Sequence, residues 1–205
     1  MLFSDTYKTI DIKGESSLKF KGSKFFGFAF HVKNEEMIKK ILSDLRIQFS
    51  DASHCCYAWR IGAAKTAFRT DDDGEPSGSA GRPIFKYIQN QDLTNVIIIV
   101  IRYFGGTLLG IPGLIEAYGD TAKMAIENAK ISTKTINDIY SICCEYNNES
   151  EAYRLIRFSG AAIITCNRYE NIIFEISIRQ SSVSTFLHQS KTFHKLKVLY
   201  LRTEQ

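Results

Sequence analysis

Hydrophobic and polar positions follow two periods along this chain, and each change of period indicates a new element. In Lys24–Val32, every second residue from Phe26 to Val32 is a large apolar one on one face, which predicts a half-buried strand. From Asn34, a residue type that caps helices, apolar residues recur at helical spacing as far as Leu45. Val96–Ile101 is continuously apolar and β-branched, which predicts a strand covered on both faces. A second helical stripe runs from Leu114 to Ala129.

Shorter elements lie between these segments. His54–Ile61 is predicted as a strand, and Thr70–Ser79, polar and rich in glycine, as a loop. A short helix is expected from about Ser79 to Gln89. This mixture of strands and helices predicts the α/β class for the first part of the chain.

The pattern restarts after Thr135 with six further elements. Their order is strand, helix, strand, strand, helix, strand, which is that of a ferredoxin-like sandwich. The predicted segments are Ile136–Tyr146, Ser150–Phe158, Ala162–Arg168, Ile172–Arg179, a helix around Val183–Leu187, and Leu196–Leu201. We therefore predict an α/β (α+β) protein of two domains, residues 1–134 and 135–205.

Composition narrows the class of protein. The apolar share of 44% and charged share of 23% are ordinary for soluble globular proteins. The net charge of +4 is compatible with RNA binding without demanding it. Five cysteines, an odd number without C-x-x-C, indicate reduced thiols rather than disulfides or zinc. Met1–Ile10 lacks an apolar core, so we expect no signal peptide, a cytoplasmic location and no membrane partner.

An acidic loop places four carboxylates within five residues: Asp71, Asp72, Asp73 and Glu75. One interpretation is a magnesium or calcium site with Asp71, Asp73 and Glu75 as ligands, because hard cations take oxygen ligands. The spacing is not that of an EF-hand, since position twelve counted from Asp71 is Arg82. We predict no cofactor, with Mg²⁺ at this loop as the alternative.

Two other interpretations of the acidic loop need no metal. The loop can be solvated, with Ser77 or Ser79 capping the next helix. Alternatively, a basic side chain folds back onto the acids and fixes the loop. The arginines available for this are Arg69, Arg82 and Arg102.

A second motif, Arg102–Gly113, follows the buried strand and leads into a helix. Ligands of α/β sheets bind at such strand ends, and helix N-termini favour anions. The motif is neither of the usual phosphate-binding glycine signatures and contains no lysine. Arg102 and Tyr103 are candidates for a phosphate or RNA contact, with an internal salt bridge as the alternative for Arg102. The glycines either admit a phosphate or permit tight turns.

The third motif pairs a histidine with a cysteine. His54 and Cys56 are two residues apart in a predicted strand, so they share one face. Nucleophilic catalysis by this pair is one interpretation, and a structural role for both residues is the other.

Basic and aromatic residues near these motifs suit unpaired bases. The candidates for stacking are Tyr57, Trp59 and Tyr103, with Arg60 and Arg102. Lys19, Lys21 and Lys24 form a modest basic patch around Gly22, which also fits a solvated turn.

Taken together, the motifs resemble the IMPACT/YigZ family over about Lys19–Lys130. The matching segments are Gly22-Ser23-Lys24-Phe25 with Gly27; His54-x-Cys56-x-Ala58; Asp72–Pro76 with Gly78–Gly81 and Pro83; and Arg102–Gly106 with Gly110 and Gly113-Leu114. Leu108 stands where the family usually has lysine, Pro112 where it usually has glycine, and Ser79 replaces a usual threonine.

The resemblance implies a fold and a function. It implies a first domain like the second domain of ribosomal protein S5, and a second domain like the ferredoxin-like domains of elongation factor G. Eukaryotic relatives regulate translation through protein partners, but their partner-binding RWD domain is not evident here. We therefore expect a regulator of translation that binds RNA or the ribosome, with a protein partner as a further possibility.

The expected site is where the two loops meet, with help from His54 and Tyr57. Its binding residues are predicted to be Lys24, Asp72, Asp73, Glu75, Ser79, Arg82, Arg102, Tyr103, Gly105 and Gly106. The alternative function is an enzyme for a small phosphorylated or acidic substrate, with His54, Cys56, Asp72, Asp73, Glu75 and Arg102 around a pocket.

Overall fold

The computed structural model describes residues 5–204. Residues 1–4, which belong to the Met1–Ile10 segment expected not to be a signal peptide, lie outside the described residues. The chain forms two compact units, Tyr7–Thr133 and Lys134–Glu204 with Asp5 and Thr6. No helix within the described part of the chain combines the length and the apolar character that crossing a bilayer requires.

A five-stranded antiparallel sheet forms the centre of the first unit, in the order β2-β3-β6-β4-β5, and β1 pairs with β7. The elements are β1 (Thr6–Ile12), β2 (Gly14–Phe20), β3 (Ser23–His31), α1 (Glu35–Gln48), β4 (His54–Ile61), β5 (Ala67–Asp71), α2 (Gly81–Asn90), β6 (Val96–Tyr103), α3 (Gly110–Glu127) and β7 (Lys130–Thr135).

Strand β6 is covered on both faces, as its continuous apolar run predicts. Ile98 and Val100 pack in the core shared with α2 and α3, whereas Ile97 and Ile99 pack on the α1 side. Because successive side chains of a strand point to opposite faces, a central strand between two helical layers needs apolar residues at every position.

The second unit is a four-stranded antiparallel sheet in the order β11-β8-β10-β9, packed with two helices. The elements are β8 (Asn137–Cys144), α4 (Glu149–Ser159), β9 (Ala162–Arg168), β10 (Ile172–Arg179), α5 (Val183–Ser190) and β11 (Lys197–Glu204). The predicted order of strands and helices is confirmed. The core forms where Phe174 and Ile176 of β10 meet Phe186 of α5.

Four strands of the first unit, β1, β2, β5 and β7, were not predicted. Strand β5 includes Thr70 and Asp71, so the predicted loop over Thr70–Ser79 began too early. Its residues are exposed or half-buried throughout, and a strand without a buried face carries no alternation to detect. Helix α3 begins at Gly110, before the predicted apolar stripe that starts at Leu114, because Pro112 is tolerated in a first helical turn.

We expect Ile98→Ala to lower the free energy of unfolding by about 2–5 kcal/mol, because it leaves a cavity in the fully buried central strand. Ile47→Ala is the matched control: Ile47 is 74% exposed on α1, and its loss should change stability by no more than about 0.5 kcal/mol. Urea denaturation followed by fluorescence of the single tryptophan, Trp59, measures both variants. Equal losses in the two variants would contradict this packing.

Candidate functional site

Two glycines bring the turn between β2 and β3 against the start of the Arg102–Gly113 motif. The turn between β2 and β3 contains Gly22, whose φ is +86°, in the left-handed region that favours glycine. A Cβ atom added to Gly105 would lie 2.0 Å from the carbonyl carbon of Gly22. The backbones of the hairpin turn and of the end of β6 can therefore approach this closely only because Gly22 and Gly105 have no side chains.

Asp72 organises the acidic loop through its carboxylate. The carboxylate accepts hydrogen bonds from the backbone N–H groups of Gly78, Ala80 and Gly81, at 2.8, 3.0 and 2.8 Å. Burial by itself would raise the pKa of Asp72, but these hydrogen bonds outweigh it and lower the pKa below its ordinary value. Asp72 thus binds the N–H groups at the N-terminus of α2, a role that one interpretation of the loop gave to Ser77 or Ser79. Ser79 is buried, and its Oγ has no hydrogen-bond partner among the described residues.

The other aspartates of the loop also bind protein groups. Asp73 accepts from the backbone N–H of Cys55 at 2.7 Å and from Arg46 at 2.9 Å. Asp71 accepts from the backbone N–H of Asp73 at 2.9 Å. Within residues 5–204, no three His, Cys, Asp or Glu side chains are grouped so that they could hold a metal ion. The geometry of Asp71, Asp73 and Glu75 therefore gives the magnesium alternative no support.

Glu75 forms a buried ion pair with Arg102. Oε1 of Glu75 lies 2.6 Å from NH1 of Arg102, and their side chains are 4% and 5% exposed. The hydroxyl of Tyr118 donates to the same oxygen at 2.7 Å. The guanidinium lies 5.7 Å from the ring centre of Phe25 and 5.5 Å from that of Phe104. Of the two roles left open for Arg102, the internal salt bridge is the one present.

His54 and Cys56 hydrogen-bond the acidic loop separately. Nδ1 of His54 lies 2.8 Å from the carbonyl oxygen of Asp73, and the Cys56 thiol donates to the carbonyl of Asp72 at 3.1 Å. Burial raises the pKa of the Cys56 thiol far above its ordinary value. A protonated thiol is a poor nucleophile, so this geometry assigns Cys56 a structural role.

Three residues predicted to contact bases are inside the protein. Tyr57 and Trp59 are each 7% exposed and belong to the core on the α1 side. Arg60 is also buried, and its Nε donates to the carbonyl of Leu93. The prediction that these residues stack on or contact bases is therefore wrong, because strand β4 is covered on both faces.

A row of basic and aromatic side chains crosses the end of the sheet. Lys19 is directly opposite Lys24, and Lys24 is directly opposite Tyr103. Both lysines are exposed, and neither forms an ion pair within the described part of the chain. Beside them lies a shallow concavity of about 390 Å³, lined by Lys24, Tyr103 and Phe104 among others. We call Lys19, Lys24 and Tyr103 the lysine row.

A second cavity, of about 340 Å³, lies where the acidic loop meets the Arg102–Gly113 motif. Its polar lining is His54, Glu75 and Arg102; Cys56, Asp72 and Asp73 are not among the lining residues. Of the six residues proposed for an enzyme pocket, therefore, only His54, Glu75 and Arg102 line this cavity.

The remaining predicted binding residues surround these features. Gly106 has a φ of +83°, and a Cβ atom there would meet nothing within 4 Å, so this turn is open on its outer side. Arg82 is exposed in the first turn of α2. Sequence reasoning missed the pairing of Lys19 with Lys24. The pairing could have been predicted only if Gly14–Phe20 had been recognised as a strand next to Lys24–Val32.

Residues 21–126 match the family model of the Impact N-terminal domain. A member of the IMPACT family from Escherichia coli strain K12, YigZ, is 28% identical over 90% of this chain and 92% of its own. Another member, YvyE of Bacillus subtilis strain 168, is 27% identical over 88% of this chain and 83% of its own. The chain is also similar to a crystal structure of a hypothetical protein, with a TM-score of 0.73, 25% identity, and coverage of 98% and 99%.

The fold and the site define a two-unit antiparallel α/β protein with a buried ion pair beneath a glycine-rich strand end. The chain belongs to the IMPACT family, because the family model spans more than half of it. The resemblance recognised from the sequence motifs is confirmed. The IMPACT homolog of Saccharomyces cerevisiae is 38% identical over 53% of this chain and 43% of its own length.

We expect Glu75→Gln and Arg102→Met each to lower the free energy of unfolding by about 3–5 kcal/mol, because each leaves a buried group without its partner. The double variant should lose less than the sum, by at least about 1 kcal/mol. The exposed pair Lys13–Glu15 is the control, and its coupling should stay below about 1 kcal/mol. Additive losses at Glu75 and Arg102 in denaturation experiments would contradict the pair.

Alkylation tests the role assigned to Cys56. In the native protein at neutral pH, we expect iodoacetamide to modify the half-buried Cys143 and Cys166 before Cys55 or Cys56. Burial raises the pKa of Cys55 to about 11, so little thiolate exists there until the solution becomes strongly alkaline. Mass spectrometry of the labelled peptides locates each modification. Preferential labelling of Cys56 at neutral pH would restore the catalytic interpretation.

Proposed function

We propose that this protein acts in translation by binding RNA, free or exposed on the ribosome, through the lysine row. The assignment to translation rests on membership of the IMPACT family, because the resemblance implies that role for eukaryotic relatives. We place the activity in the cytoplasm, where translation takes place.

The observation that carries the proposal is the pairing of Lys19 with Lys24. Like charges directly opposite each other in an antiparallel sheet are destabilising. Local rules of this kind are broken mostly at functional sites. An RNA phosphate placed between the two ammonium groups would relieve their repulsion, and it would release counterions on binding.

Aromatic residues in and beside the lysine row supply a second kind of contact. Phe104 is 47% exposed, and the hydroxyl of Tyr103 donates to Asp51 at 2.7 Å, which holds that ring in place. Stacking on an aromatic ring suits any unpaired base. Lysines next to exposed rings favour single-stranded RNA over a double helix, whose bases are already stacked.

Arg102, which was predicted to contact RNA, makes no RNA contact in this proposal. Its guanidinium is buried and paired with Glu75, so its substitution would disturb folding and binding together. Lys19 and Lys24 are exposed and make no ion pair within residues 5–204, which makes them the cleaner residues for a test.

We expect Lys24→Ala and Lys19→Ala each to weaken binding to a single-stranded oligouridine and to ribosomes. Each should reduce the slope of log K against log salt concentration by about 0.7. Lys86→Ala, at an exposed lysine of α2 on the opposite side of the sheet, should leave binding and slope unchanged. Fluorescence anisotropy measures the oligouridine, and co-sedimentation the ribosomes. Absence of binding at low salt, or binding indifferent to both lysines, would overturn the proposal.

A further inference from the structure

The second cavity has apolar walls and an exposed apolar mouth. Its walls are Pro76, Phe104, Leu108, Leu109, Ile111 and Leu114. Leu108 is 87% exposed and Ile111 54% exposed at its rim. A concavity of this size with mostly apolar walls and a few convergent polar groups has the composition of small-molecule sites.

The two opposite charges in the cavity, on Glu75 and Arg102, neutralise each other. The carboxylate of Glu75 is neutralised by Arg102 and accepts a further hydrogen bond from Tyr118. A charged ligand would be desolvated here without gaining a counter-charge. This electrostatic balance favours an uncharged ligand and disfavours the phosphorylated or acidic substrate of the enzyme alternative.

Arg102 supplies a hydrogen-bond donor that the protein does not use. The Arg102 side chain is only 5% exposed, and its buried Nε–H has no acceptor among the described residues. An unsatisfied buried donor is costly, and native proteins pair more than nine in ten buried polar groups. An acceptor placed next to the Nε–H of Arg102 would therefore be stabilising.

His54 supplies an acceptor next to this donor. A carbonyl oxygen only accepts, so Nδ1 of His54 carries the proton in its contact with Asp73. In the neutral ring, Nε2 is then an acceptor, 3.7 Å from the Glu75 carboxylate. His54 and Arg102 are direct partners across β4 and β6, and such side chains leave one face with Cβ atoms about 4.5–5.5 Å apart.

From this geometry we infer that the cavity binds a small uncharged molecule with an apolar body and an amide-like group. The carbonyl oxygen of the amide accepts from Nε–H of Arg102, and its N–H donates to Nε2 of His54. The apolar body packs against Leu109, Ile111 and Leu114. The inference does not rest on RNA binding by the lysine row.

Benzamide is the probe for this site, and ¹⁵N-labelled protein reports its binding by NMR. We expect saturable shifts of the Arg102 Nε–H and of the backbone amide of Ile111. Benzoate and benzylamine, which are charged, and toluene, which lacks the amide, should each bind at least about tenfold more weakly. Ile111→Trp should fill the cavity and abolish the shifts. Ile115→Trp, one helical turn further along and 44% exposed, should retain them.

Four results would overturn the inference. The first is the absence of saturable shifts at Arg102. The second and third are benzoate or toluene binding as tightly as benzamide, and the toluene result would reassign the cavity to apolar side chains of a protein partner. The fourth is retention of the shifts in Ile111→Trp. Lys24→Ala, which tests the lysine row, should leave benzamide binding unchanged, so failure of either proposal is seen separately.

Discussion

The buried ion pair between Glu75 and Arg102 is the interaction on which the rest of the first unit depends. It connects the acidic loop to the end of the central strand, and through Tyr118 it reaches α3. Removing two charges from water costs several kcal/mol per ion unless close geometry and further hydrogen bonds offset it. Here the offset comes from the 2.6 Å contact, the Tyr118 hydroxyl and the rings of Phe25 and Phe104.

The carboxylates of the acidic motif therefore bind groups of the protein itself. Asp72 binds the start of α2, Asp73 binds the start of β4, and Glu75 neutralises Arg102. Repulsion among these neighbouring carboxylates is relieved because each one faces different donors. The exposed positive charge beside this site comes instead from lysines of the β2–β3 hairpin, whose first strand has little apolar pattern of its own.

Phe104 separates the two candidate binding surfaces. Its ring lines the concavity beside the lysine row and also the apolar cavity above Arg102. The two surfaces differ in chemistry because one is crossed by unpaired ammonium groups, whereas the charges of the other are already neutralised. One strand end thus presents, side by side, the surface proposed to bind RNA and the cavity proposed to bind an uncharged molecule.

Much of this architecture was determined by the sequence alone. Strands β9 and β10 were predicted with their observed bounds, because each is flanked by turn residues and β10 alternates cleanly. The apolar run of β6 predicted a doubly covered strand, and the motifs identified the family. Tertiary structure alone decided that Arg102 points to Glu75, that Tyr57 and Trp59 are buried, and that Lys19 is opposite Lys24. Pairing register and the direction of a charged side chain depend on residues distant in the chain, which local periodicity does not encode.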